Sequence, residues 1–340
     1  MGIYFNQLRN SRIIYRDPPD NYSIDDKSIF CNQMKYSTLD CNIYTISGGY
    51  INSMGIIYDR NFRLFSKSIV PTQSHKYYQY NYLFKKLIFS KRKQRISGNL
   101  LSVIDEWSIG HFHWISDVLP KIMCLDHLSS QYILLLPNTD YIHRIAVPSI
   151  ERMGIYFKDI IFLDPKKLYL FENISYISNV AKSGQMDDEI MLNIKSKFID
   201  VNLTPKSKLY ITRRSSKFRK ILNEEEVIDI VKEFGFEIVE SDYLSFQEHL
   251  NIFQNASCLV SIHGAGLTNS LFMQCGTSLG EFIINKFSDN RCYYHLTKSM
   301  KMKYYYFFGI PDSNKPIEGK GSNISIEKNL LKKFLSAINY

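Results

Sequence analysis

Short apolar runs alternate with amphipathic segments through the second half of the chain, and this alternation constrains the fold more than any other feature. The runs predict strands at 209–212, 236–239, 258–262 and 278–284. Alternating strands and helices predict a parallel sheet with helices on both faces, and such sheets bind ligands beyond the carboxyl ends of their strands. The loops 213–223 and 263–269 are therefore expected on one rim of the sheet.

Two of the intervening helices have recognisable starts. Asn223 is a predicted N-cap followed by three glutamates, which suit the positive end of a helix dipole, and Gly235 is a predicted C-cap. Ser245 and Glu248 have the spacing of a capping box. The turn after the third strand is expected to enter another helix from about Leu267.

The first half of the chain is less regular. A helix is predicted from Gly110 to about His127, and residues 1–70 give only weak strand signals. Buried strands are predicted at Leu100–Ile104, Tyr132–Leu136 and Ile160–Leu163.

A polar stretch at 181–208 is a predicted hinge, and a length of 340 residues favours two domains. We therefore expect domains at 1–185 and 206–315, followed by an amphipathic helix at 322–340.

Composition narrows the class of protein. An apolar fraction of 45% with 22% charged residues is typical of a chain with a packed core, and a net charge of +9 favours an anionic partner. Six cysteines lie far apart without a C-x-x-C pair, and we interpret them as reduced thiols. The first twenty residues have no apolar leader and no apolar run is long enough for a membrane span, so a cytosolic location is expected.

The segment 261–269 gives the strongest functional signal. Gly264, Ala265 and Gly266 leave a buried strand and enter a helix, so backbone N–H groups can approach a phosphate closely. His263 and the pair Thr268–Asn269 add polar side chains at the sheet rim, which favours a ligand site. The alternative is a tight turn whose glycines serve geometry alone.

A basic loop follows the first strand of this half on the same predicted rim. Its five cations are well suited to a diphosphate group, since arginine binds phosphate oxygens bidentately. The alternatives are a solvated basic loop and nucleic-acid binding, although the cations form no long stripe with interleaved aromatic residues. The loop, residues 212–220, contains Arg213, Arg214, Lys217, Arg219 and Lys220.

A third cluster lies at 106–120. His113 and Asp117 are four residues apart and would share a helix face, so one can act as a base that the other orients. Glu106 and His111 are the next candidates for this base. A metal site is poorly supported because a fourth ligand at suitable spacing is missing, and packing at a domain interface is the alternative function.

Glu281 is the one carboxylate in the apolar strand 279–284, where it can accept hydrogen bonds from a ribose or point to solvent. No D-x-D motif occurs in the sequence, which argues against a metal-chelating nucleotide-sugar site.

These segments together resemble glycosyltransferase family 61, over roughly residues 105–285. The order and spacing of the motifs carry the resemblance, while residues 1–95 add nothing to it. The similar segments are 113–120, 209–214, 223–224, 235–236, 244–248, 263–269 and 271–273.

The resemblance implies an α/β fold of GT-B type, with two Rossmann-like domains whose parallel sheets face a central cleft and a C-terminal helix that packs back on the first domain. It implies an inverting, metal-independent transferase with no cofactor, in which a base of the first domain activates the acceptor. Asp117 is the expected base, and His113 orients it or replaces it. The residues it assigns to the nucleotide-sugar donor are His263, Gly264, Gly266, Thr268, Asn269, Glu281, Arg213 and Arg214. From the glycine turn and the basic loop we add Ala265, Lys217 and Arg219 to the expected donor site.

The expected donor is a UDP-sugar, and the expected acceptor is a glycan or lipid-linked glycan in capsule or surface polysaccharide synthesis. The expected location is cytoplasmic, which allows peripheral contact with the inner membrane. Two other functions stay open: a nucleotide-binding or scaffold protein of the same fold without transfer, and a nucleic-acid-binding protein, against which the lack of a nucleic-acid motif argues.

Overall fold

A computed structural model describes residues 2–70, 91–284, 290–313 and 321–338. The chain forms two compact units, each described by itself below. The first comprises Met1–Arg12 and Thr38–Ser183, and the second comprises Ile13–Ser37 and Gly184–Tyr340.

The strands of the described residues are β1 Ile3–Arg9, β2 Ile13–Tyr15, β3 Lys35–Ser37, β4 Cys41–Asn52, β5 Ile57–Asp59, β6 Arg92–Arg95, β7 Leu100–Ser102, β8 Ile133–Pro137, β9 Asp159–Leu163, β10 Lys167–Ile177, β11 Ser207–Ile211, β12 Phe236–Val239, β13 Ala256–Ile262, β14 Ser278–Ile283, β15 Lys303–Phe308, β16 Ile310–Pro311 and β17 Ile324–Ser325.

The α-helices of the same residues are α1 Lys27–Phe30, α2 His111–His113, α3 Leu119–Leu125, α4 Val147–Arg152, α5 Asp188–Phe198, α6 Glu224–Glu233, α7 Phe246–Phe253, α8 Cys292–Ser299 and α9 Lys328–Ile338. A π-helical turn, Trp114–Val118, joins α2 to α3, and a second one, Ile142–Ala146, precedes α4. The predicted helix over 110–127 is therefore confirmed, with one wide turn inside it. None of the described helices combines the length and the apolar character that crossing a membrane requires.

The sheet of the first unit is mixed. Its strand order is β1-β4-β10-β7-β8-β9, with β5 beside β4 and β6 beside β10. Strands β10, β7, β8 and β9 run parallel to one another, and β6 runs parallel to β10, whereas β4 runs antiparallel to β1, β5 and β10. The parallel strands expected in this unit are present, but β4 pairs only in the antiparallel sense. For β4 and β5 the short connecting turn requires this, because parallel pairs need a crossover.

The sheet of the second unit is entirely parallel, as predicted, with the order β12-β11-β13-β14-β15. The chain starts with β11, adds β12 on one side and then crosses over to place β13 on the other side. The strand order therefore reverses between β11 and β13. In sheets of this kind a crevice for ligands opens where the order reverses, just beyond the carboxyl ends of the strands.

The first two helices between these strands begin where the sequence predicts, although the Asn223 side chain makes no capping hydrogen bond at the start of α6. Ser245 and Glu248 form a complete capping box at the start of α7. Gly235 ends the helix before β12 with a φ of 80°, a left-handed conformation that glycine adopts without strain. Local signals of this kind involve residues a few positions apart, so the sequence alone predicts them well.

The C-terminal helix belongs to the second unit, so the prediction that it returns to the N-terminal domain was wrong. On α9 the ring of Phe334 lies 5.9 Å from Phe282 of β14 and 5.7 Å from Phe307 of β15. Gly280 of β14 leaves room for this helix, because a Cβ there would lie 2.9 Å from both Phe334 and Ile338. The apolar face of α9 thus covers the parallel sheet.

The domain bounds also differ from those expected. The predicted N-terminal domain, 1–185, includes residues 13–37, which the structure assigns to the second unit. Within that unit Asn21 hydrogen-bonds both the N–H and the C=O of Tyr306, so this segment covers the outer edge of β15. The second unit begins at Gly184 and not at 206, and α5 occupies part of the predicted hinge. The predicted ends at 315 and 340 lie outside the described residues.

Candidate functional site

The end of β11 is fixed by a buried carboxylate from the next helix. Glu224, the first residue of α6, accepts hydrogen bonds through Oε1 from the Tyr210 hydroxyl at 2.9 Å, the Thr212 hydroxyl at 2.9 Å and the Arg213 backbone N–H at 3.2 Å. Burial and the neighbouring Glu224 raise the pKa of Tyr210 well above its usual range. Glu224 therefore does more than complement a helix dipole, since it holds the start of the basic loop in place.

Arg213 has a half-buried side chain at the carboxyl end of β11. Its Nη2 donates to the Ser216 hydroxyl at 2.7 Å and more weakly to the Phe218 carbonyl at 3.4 Å, while its Nε is buried without a hydrogen-bond partner among the described residues. Burial, followed by the charge of Arg219, lowers the pKa of Arg213. No carboxylate in the described part of the chain lies within ion-pair distance of Arg213 or Arg219, which leaves two positive charges close together.

The other cations of the loop are placed differently. Arg214 points to the surface of α6, where its Nη2 lies 2.6 Å from the Glu225 carboxylate, and Lys217 is exposed. Arg219 has a φ of 57°, and its side chain packs over Gly321. The charge of Arg219 acts on Arg213 and lowers its pKa, whereas Arg214 forms a surface ion pair.

The glycine turn meets Arg213 directly. A Cβ at Gly264 would collide with the Arg213 guanidinium, and a Cβ at Gly266 would lie 3.1 Å from the Ile211 side chain. Gly264 has an extended φ of 175°, so the close approach of the arginine, and not backbone strain, requires glycine here. The expected meeting of the two loops on one rim of the sheet is confirmed.

Beyond the turn the backbone forms a 3₁₀ helix, Ala265–Phe272, in place of the α-helix predicted from about Leu267. Thr268 and Asn269 of this helix are fully buried. The groups with which the turn can approach an anion are therefore mainly its backbone N–H groups and the adjacent arginines.

Glu281 forms a buried cluster with His263, an arrangement that the predicted ribose contact did not include. Only 1% of its surface is exposed. One carboxylate oxygen lies 2.5 Å from His263 Nδ1, and the other accepts a hydrogen bond of 2.6 Å from the Tyr304 hydroxyl. The ring of Tyr293 packs edge-on against His263, with ring centres 5.0 Å apart. Glu281 therefore fixes the orientation of the His263 ring.

The first unit contains the predicted His113–Asp117 pair. His113 Nδ1 lies 2.8 Å from Asp117 Oδ2, as expected for two residues on one helix face. Asp117 also accepts hydrogen bonds from Ser116 at 3.0 Å and Ser183 at 2.8 Å, and only 8% of its surface is exposed. The His113 side chain is 26% exposed, and its ring packs against Trp107. The histidine is therefore the more accessible member of the pair.

Buried polar side chains around this pair are hydrogen-bonded within the first unit. Trp114 donates to Ser149 at 3.0 Å, and the fully buried Lys121 donates to the Val103 carbonyl at 3.0 Å. Asp117 lies in the π-helical turn and His113 directly precedes it, and such turns often mark functional sites.

The two other candidates for a base have protein partners. The His111 ring lies 3.0 Å from the Tyr141 hydroxyl, and the Glu106 carboxylate accepts from the Val70 N–H at 3.2 Å. Among the residues that the structure describes, no three His, Cys, Asp or Glu side chains cluster as metal ligands would.

The family model described as "Glycosyltransferase 61" matches residues 111–280, which is half of the 340-residue chain and includes both the His113–Asp117 pair and the glycine turn.

Several animal proteins named "EGF domain-specific O-linked N-acetylglucosamine transferase" are similar to nearly half of this chain. The mouse protein is 30% identical over 181 residues, which cover 49% of this chain and 33% of the mouse protein. The Xenopus laevis protein is 32% identical over 163 residues, 45% of this chain and 31% of its own length. The Drosophila melanogaster protein is 28% identical over 171 residues, 47% and 31% of the two chains.

The matched region thus spans about a third of the length of these relatives. Because the family model covers half of the sequence, including both polar clusters, this chain belongs to the glycosyltransferase 61 family.

Proposed function

We propose that this protein transfers a sugar from a nucleoside diphosphate donor to a hydroxyl group of an acceptor. The observation that carries the proposal is the contact of Arg213 with Gly264, where a guanidinium crosses a glycine turn at the reversal of strand order in a parallel sheet. A diphosphate fits such a place, because backbone N–H groups and arginines together bind anions.

In this proposal Arg213 and Arg219 hold the diphosphate of the donor. Both lack a carboxylate partner among the described residues. An anionic ligand can therefore pair with both guanidinium groups without displacing an existing ion pair. As the bond to the sugar breaks, negative charge grows on the departing diphosphate, and fixed cations stabilise this charge. His263, held by Glu281, offers its second nitrogen, Nε2, to the same ligand.

The acceptor hydroxyl requires a base, and the geometry favours His113 over Asp117. Both Asp117 oxygens already accept hydrogen bonds, whereas His113 has Nε2 left when Nδ1 is bound to Asp117. His113 Nε2 takes the hydroxyl proton while the acceptor oxygen attacks the anomeric carbon and the diphosphate leaves from the opposite side. This single displacement inverts the anomeric centre, and Asp117 stabilises the imidazolium that forms.

The two arginines supply the positive charge that a divalent cation provides in other transferases, so the proposed reaction needs no metal. The GT-B fold expected from the sequence is likewise a proposal.

The names of the relatives suggest the first substrates to test. They point to N-acetylglucosamine as the sugar and to a hydroxyl of an EGF domain as the acceptor. We propose UDP-N-acetylglucosamine as the donor. For the acceptor, the glycan of a surface polysaccharide expected from the sequence and the EGF domain suggested by the relatives are separate arms of one experiment.

The test incubates the purified protein with a panel of nucleotide sugars and both kinds of acceptor, with and without excess chelator. Release of the nucleoside diphosphate and a mass increase of the acceptor by one sugar are expected, and both should survive the chelator. Donor binding without release or transfer on any acceptor would favour the non-catalytic alternative. Activity that the chelator abolishes and a divalent cation restores would show that the arginines do not replace a metal.

A further inference from the structure

The two tryptophans of this chain lie in the same unit but in different surroundings. Trp114 is fully buried, and its indole N–H donates to the Ser149 hydroxyl at 3.0 Å. Trp107, in the turn before α2, keeps 38% of its surface exposed, and its indole N–H has no hydrogen-bond partner among the described residues. Single exposed apolar residues are ordinary on protein surfaces, so only the position of Trp107 can indicate a function.

That position is beside the proposed base. The ring centres of Trp107 and His113 are 4.8 Å apart, and the two planes are tilted by 43°. Nδ1 of His113 is bound to Asp117, so Nε2 is the nitrogen that can accept the proton of the acceptor hydroxyl. A hydroxyl that gives its proton to this nitrogen has to lie about 3 Å from it. The part of the acceptor that carries this hydroxyl is therefore next to the indole.

Hydrogen bonds hold the turn that presents Trp107. Its backbone N–H donates to Asp105 Oδ1 at 3.0 Å, and its carbonyl oxygen accepts from the Gly110 N–H at 2.8 Å. Asp105 is buried, and the Ser108 hydroxyl donates to the same carboxylate oxygen at 2.9 Å. A Cβ at Gly110 would lie 3.2 Å from the Trp107 carbonyl oxygen and 3.4 Å from the His113 ring, so the turn and the histidine pack closely. A turn that is ordered before the ligand arrives lowers the entropic cost of binding.

We propose that Trp107 binds the acceptor and that the acceptor is a carbohydrate whose pyranose ring stacks on the indole, an inference that rests on the proposed function of His113. A pyranose ring carries C–H groups on its faces and hydroxyl groups around its rim. When one face packs on an indole, the apolar C–H groups are buried and a rim hydroxyl points sideways, towards a base beside the indole. The indole N–H can donate to a second oxygen of the sugar. The hydroxyl of a serine or threonine has no flat apolar ring beside it, so the geometry favours a sugar over a protein acceptor.

The first experiment measures binding without transfer. Because Trp107 is exposed and Trp114 is buried, acrylamide quenching of the tryptophan fluorescence of the full chain reports mainly on Trp107. Trp107→Phe, in which only Trp114 emits, gives the baseline for the buried tryptophan. The probes are the methyl pyranosides of glucose, galactose, mannose and N-acetylglucosamine, with glycerol as a control that has hydroxyl groups but no ring.

At least one of the four pyranosides should reduce the quenching of Trp107, and glycerol should not. The proposal is overturned if none of the pyranosides protects Trp107 from acrylamide more than glycerol does. It is also overturned if a folded EGF domain protects Trp107 while no pyranoside does, since the group that lies on the indole would then belong to a protein.

The second experiment measures transfer to the sugar that binds. Trp107→Leu should raise the acceptor KM about tenfold or more with a smaller change in kcat and no change in UDP affinity, and Trp107→Phe, which keeps a ring, should lie between it and the wild type. Tyr156→Leu is the matched control and should keep the acceptor KM of the wild type. It removes an exposed aromatic residue from the opposite edge of the same sheet, because Tyr156 precedes β9 whereas Trp107 follows β7.

The two experiments separate this inference from the proposed function. If a pyranoside protects Trp107 but no nucleotide sugar is consumed, the carbohydrate site is supported and the proposed transfer is not. If transfer occurs and Trp107→Leu keeps the acceptor KM of the wild type, the proposed function is supported and the assignment of Trp107 is overturned.

Discussion

His263 Nδ1 lies 2.5 Å from Glu281 Oε1, at the carboxyl end of the central strands of the parallel sheet. Both side chains are buried, and the second oxygen of Glu281 accepts from Tyr304 at 2.6 Å. A buried carboxylate is costly unless its oxygens are hydrogen-bonded, and here two neighbours satisfy them. The Nδ1–H of His263 is thereby committed to Glu281, which leaves Nε2 for a ligand.

Replacement of Glu281 tests whether this contact serves ligand binding. Glu281→Gln keeps the size of the side chain but removes its charge, and we expect UDP to bind about tenfold more weakly because His263 loses its fixed orientation. Tyr304→Phe is the matched control: it removes one hydrogen bond, worth about 0.5 to 1.5 kcal/mol, and leaves the contact with His263 intact. If Glu281→Gln lowers the melting temperature without changing the dissociation constant of UDP, Glu281 is only structural.

Gly264 tests the contact between the two loops. In Gly264→Ala the new methyl group collides with the Arg213 guanidinium, so the arginine has to move and UDP binding should weaken by at least tenfold. In Gly266→Ala the new methyl group lies 3.1 to 3.3 Å from the side chains of Ile211 and Ser241 and meets no arginine, so the effect on UDP binding should be smaller. Calorimetric titration of both variants measures the difference. Equal affinities would show that the position of Arg213 over the turn has no part in binding.

The assignment of the base predicts an order of turnover losses. His113→Ala should reduce turnover by about 10² to 10⁴, the usual contribution of general base catalysis, and Asp117→Asn should cost less because Asp117 only orients the histidine. His143→Ala, an exposed histidine of the same unit, is the matched control and should be nearly neutral. UDP affinity should stay unchanged in all three variants. A larger loss in Asp117→Asn than in His113→Ala would reverse the two roles.

A buried lysine predicts a pH dependence of stability. Burial lowers the pKa of Lys195 on α5 to about 8, and its Nζ has no hydrogen-bond partner among the described residues. Between pH 8 and about 10.5 the unfolded chain binds this proton and the folded chain does not, so the contribution of Lys195 to the free energy of unfolding rises with pH across this window. Lys195→Met should remove this rise.

At pH 7 the same variant should be more stable than the wild type, by an amount on the order of 3 kcal/mol, because the folded state no longer has to accommodate the buried amine. Chemical denaturation of both proteins at pH 7 and pH 9.5 measures the two effects. Parallel stability curves for wild type and variant would mean that Lys195 has an ordinary pKa in the folded protein.

The sequence predicts those parts of the molecule that depend on local patterns. The alternation of strands and helices predicts the parallel sheet of the second unit, and the capping box of Ser245 and Glu248 needs only residues three positions apart. His113 and Asp117 were predicted to meet because four residues separate them on a helix.

Local sequence patterns do not predict contacts between segments that lie far apart in the sequence. Ser183 reaches Asp117 from 66 residues away, and Tyr304 reaches Glu281 from 23. Nothing local to the strand of Glu281 reveals that His263 and Tyr304 are hydrogen-bonded to its two oxygens, and its ribose contact stays a prediction. The sequence did not predict that residues 13–37 belong to the second unit, for the same physical reason. Their partner, the edge of β15, lies far along the chain.

Binding of UDP to the wild type and to arginine variants is the most direct test of the proposed donor site. Arg213→Ala and Arg219→Ala should each weaken binding about tenfold to a hundredfold, the equivalent of a charge-assisted hydrogen bond of about 1.5 to 3 kcal/mol. Arg214→Ala, which removes an equal charge from the same loop but breaks only a surface ion pair, should bind UDP as the wild type does. Calorimetric titration that shows no UDP binding to the wild type, or equal losses in all three variants, would contradict the account.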